Sequence, residues 1–369
     1  MILMNTLIVD SNNLAYSGFY SFSELSHNEK PTGVIFLFLK RILLLAKKFE
    51  TNKFIFCWDT KKNYRKVVYP EYKQNRRQDL TEQEKIDYAL AFKQFDELRL
   101  KVLPDLGFNN VFWQNGYEAD DLIAYIVLEK GEEYEGSYHV VSTDKDLYQL
   151  LDVCNIYNQR TKKVITKKVF VDKYDIPCKK WPKVKAMMGD ASDNIKGIMG
   201  VGEVNALKYI HGELKSGKTL DKIIAGRETV NRNLRLIKLP FKSKKEIDIV
   251  PEEDLFDRKK FIDVFVNFGF ESFLKKKELD SWVKIFCKER LYTRRERGGK
   301  MKKWNVWSEG YAATGESDGA MFHGTFEAPT FQEACDKCFK NEKTYNSKRR
   351  TLWGCQLFDN QVDAIKSFG

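Results

Sequence analysis

Two short apolar runs closed by an acid recur early in the chain, TLIVD at 6–10 and KFIFCWD at 53–59. Unbroken apolar runs of this length predict strands buried on both faces, as in a parallel sheet. Between them, residues 33–50 carry apolar side chains at helical spacing, the crossover helix of a βαβ unit. Its core, VIFLFLKRILLLA, is interrupted by Lys40 and Arg41. It is too short and too charged to span a bilayer and reads as a buried helix. Further strand-like runs lie at 110–113, 138–141 and 155–157, with helical patterns at 81–106 and 118–130. Strand and helix in alternation predict an α/β fold, a doubly wound, mostly parallel sheet spanning 1–165.

From about 166 to 287 the pattern becomes mostly helical and rich in lysine. A basic linker is expected at 288–303, where Arg294, Arg295 and Arg297 precede Gly298 and Gly299. Beyond it the pattern changes again. Strands are predicted at 304–311 and 321–328, a helix at 331–339, a strand at 352–358 and a helical turn or two at 361–368. Residues 304–369 thus read as a small C-terminal α+β domain.

Composition narrows the function. The 369 residues include 63 Lys and Arg against 52 Asp and Glu, a net charge of +11 that favours a polyanionic partner, nucleic acid first. Hydrophobic residues at 43% exclude wholesale disorder. Seven scattered cysteines point to a reducing compartment rather than a disulfide framework. The first basic residue is Lys30, so no signal-peptide n-region is expected, and the reading is a cytoplasmic protein with no membrane partner. Cys335 and Cys338, with His323 and Cys355 near, suggest zinc, but i and i+3 cysteines on an amphipathic helix more often pack. Trp304, Trp307, Tyr311 and Trp353 are read as core residues, with base stacking the alternative.

The chemistry lies in the acids. Asp10 and Asp59 each follow a strand, and in an open parallel sheet ligands bind beyond the carboxyl ends of the strands. Glu118, Asp120 and Asp121 crowd the start of one helix. Three such acids repel one another unless protonated or joined by cations. Asp144 and Asp146 follow the next strand, and Asp190 and Asp193 lie in GDASDN. A carboxylate cluster in a basic chain with four histidines suits Mg²⁺ or Mn²⁺ rather than Zn²⁺. Two such ions can clamp the attacking and leaving oxygens of a phosphodiester displacement.

The motifs LIVDSNNL, FCWD, YPEYKQNRR, GYEADDLIA, STDKDLYQL and GDASDNIKGIMGVGEVNALKYI occur in the order seen in the 5′-nuclease family. Over about residues 1–285 the chain resembles a phage 5′–3′ exonuclease or flap endonuclease, similar to the 5′-nuclease domain of bacterial DNA polymerase I. The resemblance implies a PIN-like fold with a helical arch, and a helix–three-turn–helix within the helical region 166–287. It assigns two metal ions to Asp10, Asp59, Glu118, Asp120, Asp121, Asp144, Asp146, Asp190 and Asp193. It places Lys73 and Arg76 opposite the scissile phosphate and Tyr72 where it would stack on a base. Lys61, Lys62, Arg65 and Lys66 are expected to add phosphate contacts. Gly197, Gly200 and Gly202 match the turn whose backbone holds a duplex phosphate and a K⁺ ion. The implied substrate is DNA with 5′ flaps or ends in replication or repair, cut by a monomer in a phage-infected or bacterial cell. RNA–DNA hybrids, with the protein removing RNA primers, are the alternative substrate, and a non-catalytic DNA-end-binding protein is a further one. Residues 300–369 lie outside the family pattern, and the accessory domain at 304–369 is expected to recruit the nuclease to DNA or to a replication protein.

Overall fold

The computed structural model describes residues 5–19, 25–76, 78–129, 137–287, 302–309, 320–328, 331–347, 350–352 and 355–366. The chain divides into two compact units, 1–288 and 289–369.

In the first unit the elements run β1 (Asn5–Asp10), α1 (Ser11–Phe19), a small hairpin β2 (Ser26–His27) and β3 (Lys30–Pro31), α2 (Gly33–Phe49), β4 (Lys53–Cys57), α3 (Arg65–Val68) and α4 (Glu82–Glu97). There follow α5 (Leu103–Leu106), β5 (Val111–Phe112), α6 (Ala119–Glu129), β6 (Ser137–Val141), β7 (Asn155–Asn158) and β8 (Lys163–Ile165). These strands form a six-stranded sheet in the order β5-β4-β1-β6-β7-β8, parallel except for β8. The chain continues through α7 (Lys167–Tyr174), α8 (Trp181–Met188), a hairpin of β9 (Gly189–Asp190) and β10 (Ile195–Lys196), α9 (Glu203–His211), α10 (Lys218–Ala225), α11 (Arg227–Ile237), α12 (Arg258–Asn267), α13 (Glu271–Leu274) and α14 (Lys276–Phe286).

The apolar strands bury both faces because their side chains alternate between two cores. Ile8, Ile55 and Cys57 face one core, while Leu7, Val9, Phe54 and Phe56 face the other. The first core also contains Phe170, Trp181, Val184 and Leu236, and the second contains Phe261, Trp282 and Phe286. Residues 166–287 are therefore not a body apart from 1–165, since their apolar faces complete the cover on both sides of one sheet.

The helix expected at 81–106 begins with a capping box. Thr81 Oγ1 accepts from Glu84 N, and the Glu84 carboxylate accepts from Thr81 N. It then changes pitch, with a π-helical turn at Leu98–Val102 between α4 and α5. Helix α1 was not expected, because SNNLAYSGF opens on three polar residues and carries only a weak apolar stripe. No helix among the described residues is long and apolar enough to cross a membrane.

The second unit is a five-stranded antiparallel sheet in the order β12-β11-β15-β14-β13. Its elements are β11 (Lys302–Ser308), β12 (Met321–Ala328), α15 (Phe331–Cys338), β13 (Tyr345–Asn346), β14 (Thr351–Leu352), β15 (Cys355–Phe358) and α16 (Gln361–Lys366). Val306, Ala334, Cys335 and Leu357 form its core, with Trp304 against it. Trp307 instead pairs with Phe322, ring centroids 4.8 Å apart. Lys302 and Lys303, expected in the linker, belong to β11. The rest of that linker, Tyr311 and Trp353 lie outside the described residues.

Candidate active site

Three neighbouring strands deliver their last residues to one edge of the sheet. Asp10 ends β1, and Asp59 stands two residues beyond β4. Asp144 follows β6, and Asp120 sits in the first turn of α6. Short polar links hold the edge together. Asp10 accepts from Asn13 N at 3.1 Å, capping α1, and from Ser142 Oγ at 2.8 Å. Ser142 Oγ in turn accepts from Asp144 N at 3.1 Å. Asp59 N donates to Asn12 Oδ1 and its carboxylate accepts from Ala119 N, both at 2.8 Å.

These carboxylates oppose one another. Burial, then the charge of Asp59, pushes Asp10 up to about 7. Burial and Glu118 raise Asp59. Burial, Glu118 and Asp144 raise Asp120 well above the usual range. Asp144 is raised chiefly by burial, and Asp146 reaches about 7 through burial and the neighbouring Asp144. Among the described residues no cationic side chain hydrogen-bonds Asp10, Asp59, Asp120 or Asp144.

Two lysines sit among the remaining acids. Lys185, from α8, lies 2.9 Å from Asp146 and 2.6 Å from Asp190. Burial of Asp190 would raise its pKa, but hydrogen bonds from Lys185 and Ser192 outweigh that and lower it. Lys73 donates to Glu118, and Arg76 Nη2 lies 2.6 Å from Asp193. Burial of Glu118 is likewise outweighed, by Lys73 and Arg65, so its pKa falls to about 2. Lys73 has a left-handed backbone, φ 56°, and its N–H donates to the Asp193 carbonyl at 2.9 Å. Asn75 and Arg76 donate to the carbonyls of Ala191 and Ser192. The segment 69–76 is thus fastened to the turn 190–194.

Three expected site residues are placed otherwise. Asp121 is fully buried and forms a two-point pair with Arg65, at 2.6 and 2.8 Å, while also accepting from Phe241 N and Glu118 N. Its carboxylate is thus engaged by protein donors on both oxygens. Arg65 is only 2% exposed and donates also to the Leu236 carbonyl, so it cannot reach a phosphate. Tyr72, also 2% exposed, donates to Glu118 and Asp193 at 2.8 and 2.9 Å. Its ring has no open face for a base. Lys61, Lys62 and Lys66 are exposed.

The glycines divide as well. A Cβ on Gly197 would stand 2.3 Å from the Met188 carbonyl carbon, so the packing beside the β9–β10 hairpin requires its bare backbone. Gly200 has φ +79° and Gly202 faces open space. Sequence reasoning missed Lys185, Ser142, Asn12 and Asn13. The last three lie inside quoted motifs, and Lys185 precedes Asp190 by little more than a helical turn.

Comparison with known proteins shows the family. The profile of the 5′-3′ exonuclease, N-terminal resolvase-like domain, matches residues 5–175. A 5′-3′ exonuclease of Buchnera aphidicola subsp. Schizaphis graminum is 32% identical over 251 residues, covering 66% of this chain and 79% of that protein. The T5 5′-exonuclease solved with zinc superposes with a TM-score of 0.55 at 26% identity, covering 77% of this chain and 98% of that one. The bacteriophage T5 flap endonuclease solved with DNA and metal ions superposes at 0.54 with 24% identity over the same shares. The chain belongs to the 5′-3′ exonuclease family. It is a nuclease, and its first unit has the fold of the 5′ nucleases.

Proposed function

We propose that this edge holds two divalent cations, Mg²⁺ or Mn²⁺, and hydrolyses phosphodiesters of DNA at 5′ flaps and ends. The observation that carries the reading is the gathering of Asp10, Asp59, Asp120 and Asp144 at one sheet edge with no cationic hydrogen-bond partner among the described residues. Hard oxygen donors that raise one another's pKa fit a divalent ion. Among the described residues no three such side chains already converge at coordinating distance, so the set would close on the ion. Asp146, Asp190 and Asp193 form the second group, with Lys185 between the first two. When bound, such cations supply Lewis-acid charge to the scissile phosphate and lower the pKa of water. The family likeness supports the substrate class, as do the metal ions and DNA held by the T5 flap endonuclease.

The chain's own residues supply the rest. Glu118 remains an anion at working pH and holds Lys73 beside the acids. Lys73 and Arg76 offer positive charge where the phosphate gains negative charge. Lys61, Lys62 and Lys66 bind backbone phosphates without reading sequence. Gly200 and Gly202 leave backbone open to a duplex phosphate, with K⁺ on the turn's carbonyls. Residues 304–369 act as an accessory module for DNA or a replication protein.

The test is cleavage of 5′-flap, nicked, single-stranded and RNA-primed substrates, with Mg²⁺ or with EDTA. Flap cleavage should vanish in EDTA. Asp144→Asn should lower it more than about a hundredfold, beyond what losing a residue that only orients a ligand costs. Cleavage that persists in EDTA overturns the mechanism. Preference for the RNA-primed substrate would make primer removal the main activity.

A further inference from the structure

Trp113 takes no part in the site just described. It follows β5, the edge strand of the sheet, and its side chain is 43% exposed. The ladder places it close to the acids. Cys57 pairs with Phe112, and Trp58 N donates to the Phe112 carbonyl, so Trp113 stands beside Trp58 and one residue from the level of Asp59. Adjacent strands are about 4.8 Å apart. Its backbone therefore stands near the level of the acids, one strand out from Asp59, with the ring turned to the sheet face that carries Arg99.

Arg99 backs the ring. Its guanidinium carbon is 5.0 Å from the Trp113 centroid, within cation–π range. It is held there by Asp96 Oδ1 at 2.6 Å and reaches the Asp59 carbonyl at 3.4 Å. Arg99 belongs to the π-helical turn, a local change of pitch that is frequent at functional sites. With one face of the indole against the guanidinium, the exposed area belongs to the other face and the outer edge. The same residues border a groove of about 230 Å³ floored by Leu100, Pro104 and Val111. That is below the roughly 300–1,000 Å³ of drug-sized sites and suits a single flat ring.

We propose that Trp113, backed by Arg99, is a stacking subsite for one unpaired nucleobase of the DNA strand beside the scissile phosphate. The inference rests on the nuclease reading above and deepens it. An aromatic face takes any base, because every base has a π-face. The guanidinium beneath, held by Asp96, makes the platform rigid. A protein segment on the same groove would not be matched to a cation so near a phosphodiester site. Trp113 is thus a substrate-positioning residue that holds a nucleotide in register with the acids.

The test is binding of 5′-flap DNA in EDTA, where cleavage is silent, read by fluorescence anisotropy. Single abasic sites are placed in turn at each nucleotide around the junction. Trp113→Ala should weaken binding of the intact flap about tenfold. Trp113→Phe should restore most of the loss. One abasic position should weaken the unaltered protein by a similar factor, yet cost Trp113→Ala less than about twofold. Equal affinity of Trp113→Ala and the unaltered protein overturns the subsite. So does an abasic profile identical in both proteins, which would leave Trp113 a general contact. If the unaltered protein binds no flap DNA at all, the nuclease reading itself fails and the subsite with it. A half-exposed residue at a strand end tolerates truncation, and circular dichroism checks the fold of each variant.

Discussion

Adjacent carboxylates in the first turn of α6 have opposite roles. Asp120 faces other acids, while Asp121 is locked to Arg65 and to two backbone N–H groups. Asp121→Asn breaks the two-point pair of the buried Arg65 and leaves it only Glu118, 3.3 Å away, at a cost of about 3 kcal/mol. Its melting temperature should fall by roughly 5–15 °C. Asp120→Asn relieves repulsion instead, so it should melt no lower than the unaltered protein while losing cleavage. Thermal melts and flap assays on the two variants separate the roles, and equal melting temperatures would refute them. Other acids of the same cluster set a pH dependence. Asp10 and Asp146 rise from about 3.8 in the unfolded chain to about 7 when folded. Between these values the folded state holds protons that the unfolded state has lost, so the two groups reduce stability as pH rises from about 4 to 7, and no further above it. Glu118, lowered to about 2, acts the other way and adds stability as pH rises from about 2 to 4.5. Melting in EDTA should therefore worsen between pH 5 and 7. Mg²⁺ should reverse the trend, because cation binding displaces those protons.

At the scale of elements, the β9–β10 hairpin carries the turn 190–194 that is fastened to the segment 69–76, and its tight crossing depends on Gly197. Gly197→Ala would drive a Cβ into the Met188 carbonyl, an overpacking cost of about 1–3 kcal/mol. Gly202→Ala meets nothing within 4 Å and should fold normally. A lower melting temperature for the first variant alone is the expected result, and equal melting would show that the hairpin relaxes freely. This hairpin also shows where sequence reading stops. Strands β1 and β4 were legible because both faces are buried and their runs are unbroken. The position of Asp10 and Asp59 at the carboxyl edge of the sheet was legible because each closes such a run. Helix α1 and the π-helical turn were not, since neither leaves a clean periodicity. Arg65 and Asp121 match the site by residue type, and only packing against Leu236 and Phe241 reveals them as an internal pair. Lys185 was invisible for a related reason. Its partner Asp146 lies on another element, and no local pattern marks a lysine that will be buried between two acids.

At the scale of the whole molecule, the division at residue 288 separates the chemistry from the rest of the chain. Each unit has its own apolar core. Two cores cover the sheet in 1–288, and a smaller one lies between α15 and the antiparallel sheet in 289–369. All nine acids named for the site, with Lys73, Arg76, Lys185 and Trp113, lie in the first unit. A protein ending after Lys288 should therefore fold and retain metal-dependent cleavage. Its kcat on a short flap at saturating substrate should lie within about twofold of the full chain. Removing a tethered module changes the concentration of the nuclease at its target rather than the chemical step. The loss should appear in affinity for long DNA, in the steepness of its salt dependence, or in binding to a partner protein. A truncated protein that folds, by melting and circular dichroism, but whose saturated rate collapses would show that 289–369 completes the active site. An unchanged salt dependence together with a retained rate would place the role of the second unit in protein recruitment, because a module that contacts phosphates must add to the salt slope.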